Sequence, residues 1–180
     1  MGTPSPPVPV KPVCSVTFSP TVGLEAVLSA IAPVAGEADL KSAVFDFNFT
    51  EYYSDEMGTD LKKIFISCRE LMNPAGLVNL KLRTNELERV WASGGRRRVN
   101  LDPGYITSAK LVLASTKDFA HRIFLGGGIY GDVQLQYRHG SWHPEAWTFP
   151  DYRTETALSF FELVRDTFNT QERKMRNAVS

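Results

Sequence analysis

The sequence has no surplus of charge of either sign: 20 Lys and Arg balance 20 Asp and Glu, a formal net charge of +0. That balance argues against a dedicated non-specific nucleic-acid binder, which carries a basic excess, and leaves room only for a local basic patch. Cysteine is scarce. Cys14 and Cys68 form no CxxC and no Cys/His cluster, which removes zinc-ribbon and disulfide-scaffold classes. Of the three histidines, His139 and His143 stand four apart, but Gly140 and Pro144 oppose a helix there, so the pair makes no metal site by itself. No apolar run approaches membrane-spanning length, and the opening "MGTPSPPVPVKP" lacks the apolar core of a signal peptide. Position 6 is Pro, where a myristoylated start needs Ser or Thr. There is no GxxxxGK[ST] phosphate loop. The expectation is a soluble cytoplasmic protein with reduced thiols and no membrane partner.

What is present is a chain of 180 residues, 43% hydrophobic, enough for one domain with a real core. Residues 1–11 read as a disordered Pro-rich tail, residues 12–170 as a single α+β domain, and residues 171–180 as a frayed polar end. Cys14, Val16 and Phe18 alternate as a strand, and a helix follows until Pro33. Phe45, Phe47 and Phe49 alternate in a second strand; Ile64, Ile66 and Cys68 mark a third. Asn73 and Pro74 open a long helix, with Leu77, Leu80, Leu87 and Trp91 near one stripe, which Gly94-Gly95 end. "RRRVNL" is a fourth strand, and Asp102-Pro103-Gly104 reads as the tight turn that closes it.

This β-α-β-β-α-β order predicts a ferredoxin-like core. Its central strands bring Cys14 and Cys68 together on the helix-covered face. Three more strands, "KLVLAS", "HRIFL" and "GIYGDVQLQYR", predict an antiparallel meander. In the last, Ile129, Val133, Leu135 and Tyr137 form a packed side, and Asp132 and Gln134 fall on a wet one. Asp151 reads as the cap of a final helix that buries Ala157, Phe161, Val164 and Phe168.

The runs "EYYSDEMG", "LKLRTNELE", "RRVNLDPGYI", "KLVLASTKDFAHRIFL", "GIYGDVQLQY" and "WTFPDYR", in this order, resemble one family over roughly residues 11–170. It is an uncharacterised bacterial and archaeal family, a domain of unknown function marked by its Asp-Pro-Gly motif. The resemblance implies no established activity. Some members carry an automatic GTP-binding label, but "STKDF" places its Asp one position too early for the guanine-reading [NT]KxD signature.

Polar residues crowd into these runs, and a small anionic ligand, such as a nucleotide or phosphometabolite, is the leading expectation. Arg98 and Asn100 project opposite Val99 and Leu101; with Asp102 and Tyr105 they can line a pocket. Lys117 and Arg122 supply cations for a phosphate or carboxylate. His121 or Glu56 can serve as acid or base. Tyr53, with Tyr52, can stack on a flat ligand. Glu51, Asp55 and Glu56 can hold Mg²⁺, although no cofactor is specified. Each residue also has a purely structural role open to it: Asp102 as a turn former, Lys117 as a solvated hairpin tip. Two alternatives stand beside the ligand pocket. One is an RNA-binding module using Arg96–Arg98 and Phe65 on the outer sheet face. The other is a non-catalytic adaptor. Oligomeric state does not follow from the sequence.

Overall fold

The computed structural model describes residues 2–50 and 52–179; Glu51, a candidate Mg²⁺ ligand, lies outside the described residues. The core is one antiparallel sheet with helices on both faces. Strand β1 (Lys11–Phe18) runs through its middle. On one side lies β4 (Lys62–Cys68), edged by β2 (Ala38–Lys41) and the short β3 (Phe45–Asp46). On the other side come β5 (Val99–Ile106), β6 (Lys110–Ser115), β8 (Ile129–Arg138) and β7 (Ile123–Gly126), with β9 (Ser141–Pro144) on the far half of β8. Helices α1 (Leu24–Ala35) and α3 (Leu77–Glu88) cover one face, α4 (Glu155–Val179) covers the other, and α2 (Ser54–Met57) sits in a loop. No helix among the described residues is long and apolar enough to cross a membrane.

Alternation assigns the faces. Cys14, Val16, Ile64, Ile66 and Leu101 point toward α1, where they meet Val27, Leu28 and Ile31. Val13, Phe65 and Ile106 point toward α4 and meet Ala157, Phe161, Val164 and Phe168, the stripe expected from the helical period. Phe65 packs 5.0 Å from Tyr152 and 5.2 Å from Phe161, ring centre to ring centre. Each such buried aromatic stabilises the fold by about 2–3 kcal/mol through removal of apolar area from water. Cys14 lies opposite Ile66, one pairing step diagonal from Cys68; both thiols are free and buried, as the strand order requires.

Several elements depart from expectation. Asp102-Pro103-Gly104 is not a turn. It continues β5, paired residue by residue with Ser15, Cys14 and Val13 of β1. The chain turns instead at residues 107–109, where the Thr107 hydroxyl accepts from the amides of Ala109 and Lys110. Pro33 does not end α1; it sits in the last turn, and Gly36, at φ 96, caps the helix. The second strand is broken into β2 and β3, so Phe47 and Phe49 leave the sheet and pack with Met57 and Tyr53.

The three-strand meander is also overturned, because β8 threads between β6 and β7. A bulge in β8 opposite Leu111 and Val112 flips its facing. Ile129 and Val133 therefore pack toward α3, while Leu135 and Tyr137 pack toward α4. The supposedly wet Asp132 and Gln134 are buried.

Both ends of the domain are tied in. Lys11, assigned to the tail, opens β1 and is fully buried, donating to Asp39 at 2.6 Å, the Cys68 carbonyl at 2.9 Å and Gln171 at 3.1 Å. Gln171 also donates to the Arg69 carbonyl at 2.7 Å, and α4 continues as helix through Val179. Asp151 is not the helix cap. It lies buried in a short 3₁₀ turn, and the Thr154 hydroxyl accepts the Ala157 amide instead.

Gly104 is fixed by close approach: a Cβ there would stand 2.3 Å from the Val112 carbonyl oxygen. Gly104→Ala is expected to destabilise by about 2–3 kcal/mol, since backbone must move. Gly76, in a helical conformation with only the Met72 sulfur at 4.0 Å, is the control. Its alanine variant should fall within about 1 kcal/mol of the parent, on the stabilising side. Urea unfolding of both variants checks the contrast, and equal midpoints would contradict it.

Candidate functional site

The site begins at a fork in the sheet. β6 pairs with β5 only at Gly104, Tyr105 and Ile106; upstream of Gly104 the strands separate. Pro103 stands at the branch point, where it has no N–H to offer a neighbouring strand. The backbone groups of Leu101, two residues upstream, would be left unpaired. Helix α3 satisfies them: the Leu101 amide donates to Glu88 Oε1 at 2.8 Å, and Lys81 Nζ donates to the Leu101 carbonyl at 2.8 Å. Backbone polarity alternates along a strand, so Leu101 and Pro103 point the same way, into the fork.

Lys81, Asn85 and Glu88 lie on one face of α3, spaced four and then three residues apart. The fork opens into a cavity of ≈ 700 Å³. Its floor includes Asn100 and Asp102 of β5, Lys63 of β4 and Asp151. Ser115, Thr116 and Lys117, at and beyond the end of β6, form a second wall with Arg122. Phe47, Phe49, Tyr52 and Tyr53 supply an aromatic wall, and Phe119 and Phe149 lie elsewhere on the lining. A cavity of this volume suits a small molecule.

Most of its charges are already paired. Lys63 meets Asp151 at 2.6 Å, with both side chains 4% exposed. Lys81 meets Asp102 at 3.4 Å, and the Asn100 amide donates to the same carboxylate at 2.7 Å. Arg97 grips Glu56 with bonds of 2.6 and 2.7 Å and reaches Glu88 at 2.9 Å. Arg122 meets Asp132 at 2.7 Å and donates to Ser115 at 2.7 Å. Lys117 and Arg89 differ: neither has an acidic partner among the described residues. Lys117 donates to the Tyr52 hydroxyl at 2.9 Å and lies 4.0 Å from the centre of that ring.

These contacts set the titration of the acids. Burial pushes the Asp102 carboxyl up, but Lys81, Lys63 and the Asn100 amide outweigh it and hold it below the ordinary carboxylate range. Arg97 holds Glu56 below that range. Burial leaves Glu88 above it, despite Lys81 and Arg97. Burial also raises the Tyr53 phenol well above its ordinary value.

Of the residues expected to form the site, the cavity gathers Tyr53, Asn100, Asp102, Lys117 and Arg122. Four lie elsewhere. Arg98 is exposed, and its carbonyl accepts the Ser19 amide. Tyr105 packs on the α3 side with Leu77 and Val112. His121 is stacked between Trp147 at 4.8 Å and Phe119 at 6.0 Å, with Nε2 3.6 Å from Asp132. Glu56 is committed to Arg97, and among the described residues no three His, Cys, Asp or Glu side chains gather as a metal site. Sequence reasoning gave Arg97 only to the RNA alternative, within Arg96–Arg98, and missed the polar α3 face. The spacing of Lys81, Asn85 and Glu88 was the available signal, overshadowed by the leucine stripe.

Lys81→Met removes a donor from Leu101 and the partner of Asp102. A loss of about 3 kcal/mol is expected at pH 7, since a nearly buried charge pair is broken. The folded-state pKa of Asp102 lies below its unfolded value of about 3.9, so the unfolded chain binds more protons in that range. The stabilisation by this carboxylate is present above about pH 4 and fades as pH falls through the folded value. The gap between parent and Lys81→Met in urea unfolding should therefore narrow from pH 7 to pH 3; an unchanged gap would contradict the pairing.

No curated protein and no solved structure matches the chain. The matching family model covers residues 8–168, spanning β1, the fork and most of α4. The chain thus belongs to the family described as Domain of unknown function (DUF4416).

Proposed function

We propose that this protein binds a small anionic ligand, of the nucleotide or phosphometabolite kind, in the forked-sheet cavity. The observation that carries the reading is that Lys117 and Arg89 line the cavity without an acidic partner among the described residues, while each of the other lining cations has a carboxylate partner. Buried ion pairs are expensive to desolvate, and apolar residues of similar volume often stabilise a fold as well or better. The paired charges here are occupied in holding the fork, so the two cations without a carboxylate partner are the ones left for a ligand. Supporting the wider picture, the strand order β2-β4-β1-β5, with α1 and α3 on one face, is the arrangement expected of a ferredoxin-like half. A cytoplasmic location accords with two free, buried thiols.

The RNA reading loses its main support, because Phe65 is 1% exposed beneath α4 and Arg97 is held by Glu56 and Glu88. The adaptor reading keeps one specific observation. β7 ends the sheet and presents Ile123 at 72% and Phe124 at 60% exposure, and the strand Ile123–Gly126 itself carries no charged residue. If that edge joins copies of the chain, light scattering will find an oligomer that Ile123→Lys dissociates; a monomeric parent rejects this use.

Thermal unfolding with inorganic phosphate tests the ligand reading. At about 100 times its Kd a ligand of the native state adds roughly 2.7 kcal/mol, a rise of about 5 °C or more for a chain of this size. The rise should be lost in Lys117→Gln/Arg89→Gln. An equal rise in the double variant would place the anion elsewhere.

A further inference from the structure

The same cavity specifies more than an anion. Resting on the anion-binding reading above, we infer that its ligand is a phosphate monoester carried on a flat unsaturated ring, of the size and charge of a nucleoside monophosphate. Charge sets the first half. Lys63, Lys81, Arg97 and Arg122 are each engaged by a carboxylate at 2.6–3.4 Å, leaving Lys117 and Arg89 to meet the ligand. A phosphate monoester carries about 1.5 to 2 negative charges at neutral pH, which matches that pair. A triphosphate brings more charge than these two cations neutralise, and the pairs Lys63–Asp151, Lys81–Asp102 and Arg122–Asp132 leave no net positive charge for the excess.

The walls set the second half. Phe47, Phe49, Phe119 and Phe149 line the cavity and have no side-chain hydrogen-bonding group. A sugar phosphate has no ring face to lay against them, while its hydroxyls, like those of a nucleotide's ribose, have polar lining such as Thr50 and Thr116 to meet. A flat ring loses little and gains stacking. Asn85 adds a half-buried amide on α3, four residues from Arg89, able to donate to and accept from a ring edge. The volume of ≈ 700 Å³ holds a ring, a linker and one phosphate together.

Calorimetric titration of the full chain separates the two halves. The probes are AMP, GMP, CMP and UMP, with ribose 5-phosphate for the anion without a base and adenosine for the ring without charge. At least one monophosphate should bind about tenfold or more tightly than ribose 5-phosphate, the lower range of one base–aromatic stack. Phe119→Leu, at a side chain 51% exposed and so safe for folding, should weaken the monophosphate and leave ribose 5-phosphate unchanged. Lys117→Gln should weaken both phosphates and leave adenosine unchanged. Equal binding of ribose 5-phosphate and all the monophosphates overturns the ring and leaves the anion site standing. Adenosine binding as tightly as AMP overturns the anion reading itself. Silence of the whole panel against folded protein overturns both.

Discussion

The Leu101 backbone, clasped by the carboxylate of Glu88 and the ammonium of Lys81, is the contact on which the rest of the site depends. A strand in mid-sheet normally satisfies its donors and acceptors on both sides, and an unpaired buried amide costs about 1–3 kcal/mol. Here β6 withdraws at Pro103, and two side chains from a helix stand in for a strand. That substitution keeps the fork open. A water-filled fork would fray, and a paired one would close the cavity.

The same clasp explains why charge accumulates here. Glu88 and Lys81 are buried by their task, so each requires a partner: Arg97 for Glu88, Asp102 for Lys81. Arg97 in turn draws Glu56 and the aromatic loop toward the cavity. Asp102 binds Asn100, and Lys63 with Asp151 completes the floor. Structural need thus places an ionic lining beside a concave space. Lys117 and Arg89 are the additions that the fold itself does not require.

Periodic signals survived translation from sequence to structure. The α4 stripe, the apolar face of β1 and β4, and the nearness of Cys14 to Cys68 all follow from periods of 3.6 and 2 and from strand order. Local punctuation misled. Asp-Pro-Gly has the chemistry of a turn, but pairing with β1 imposes an extended backbone, and Gly104 is required by the nearness of β6 rather than by a bend. In β8 one bulge moved Leu135 to the opposite face from Val133, which no alternation count reveals. The candidate site was half legible. Lys117, Arg122, Asn100 and Asp102 were found because they cluster in short polar runs. Lys81, Glu88 and Lys63 were not, since a charged residue on a helix or strand normally reads as solvent-facing, and only the fork reverses that.

Amide hydrogen exchange at Leu101, followed by NMR, tests the clasp most directly. If Glu88 holds this amide as a neighbouring strand would, Leu101 exchanges as slowly as the central β1 amides. Glu88→Ala then accelerates Leu101 selectively, while the β1–β4 ladder stays protected. Fast exchange at Leu101 in the parent protein, or no change in Glu88→Ala, would mean the fork is held by something else and the cavity is not the built site described here.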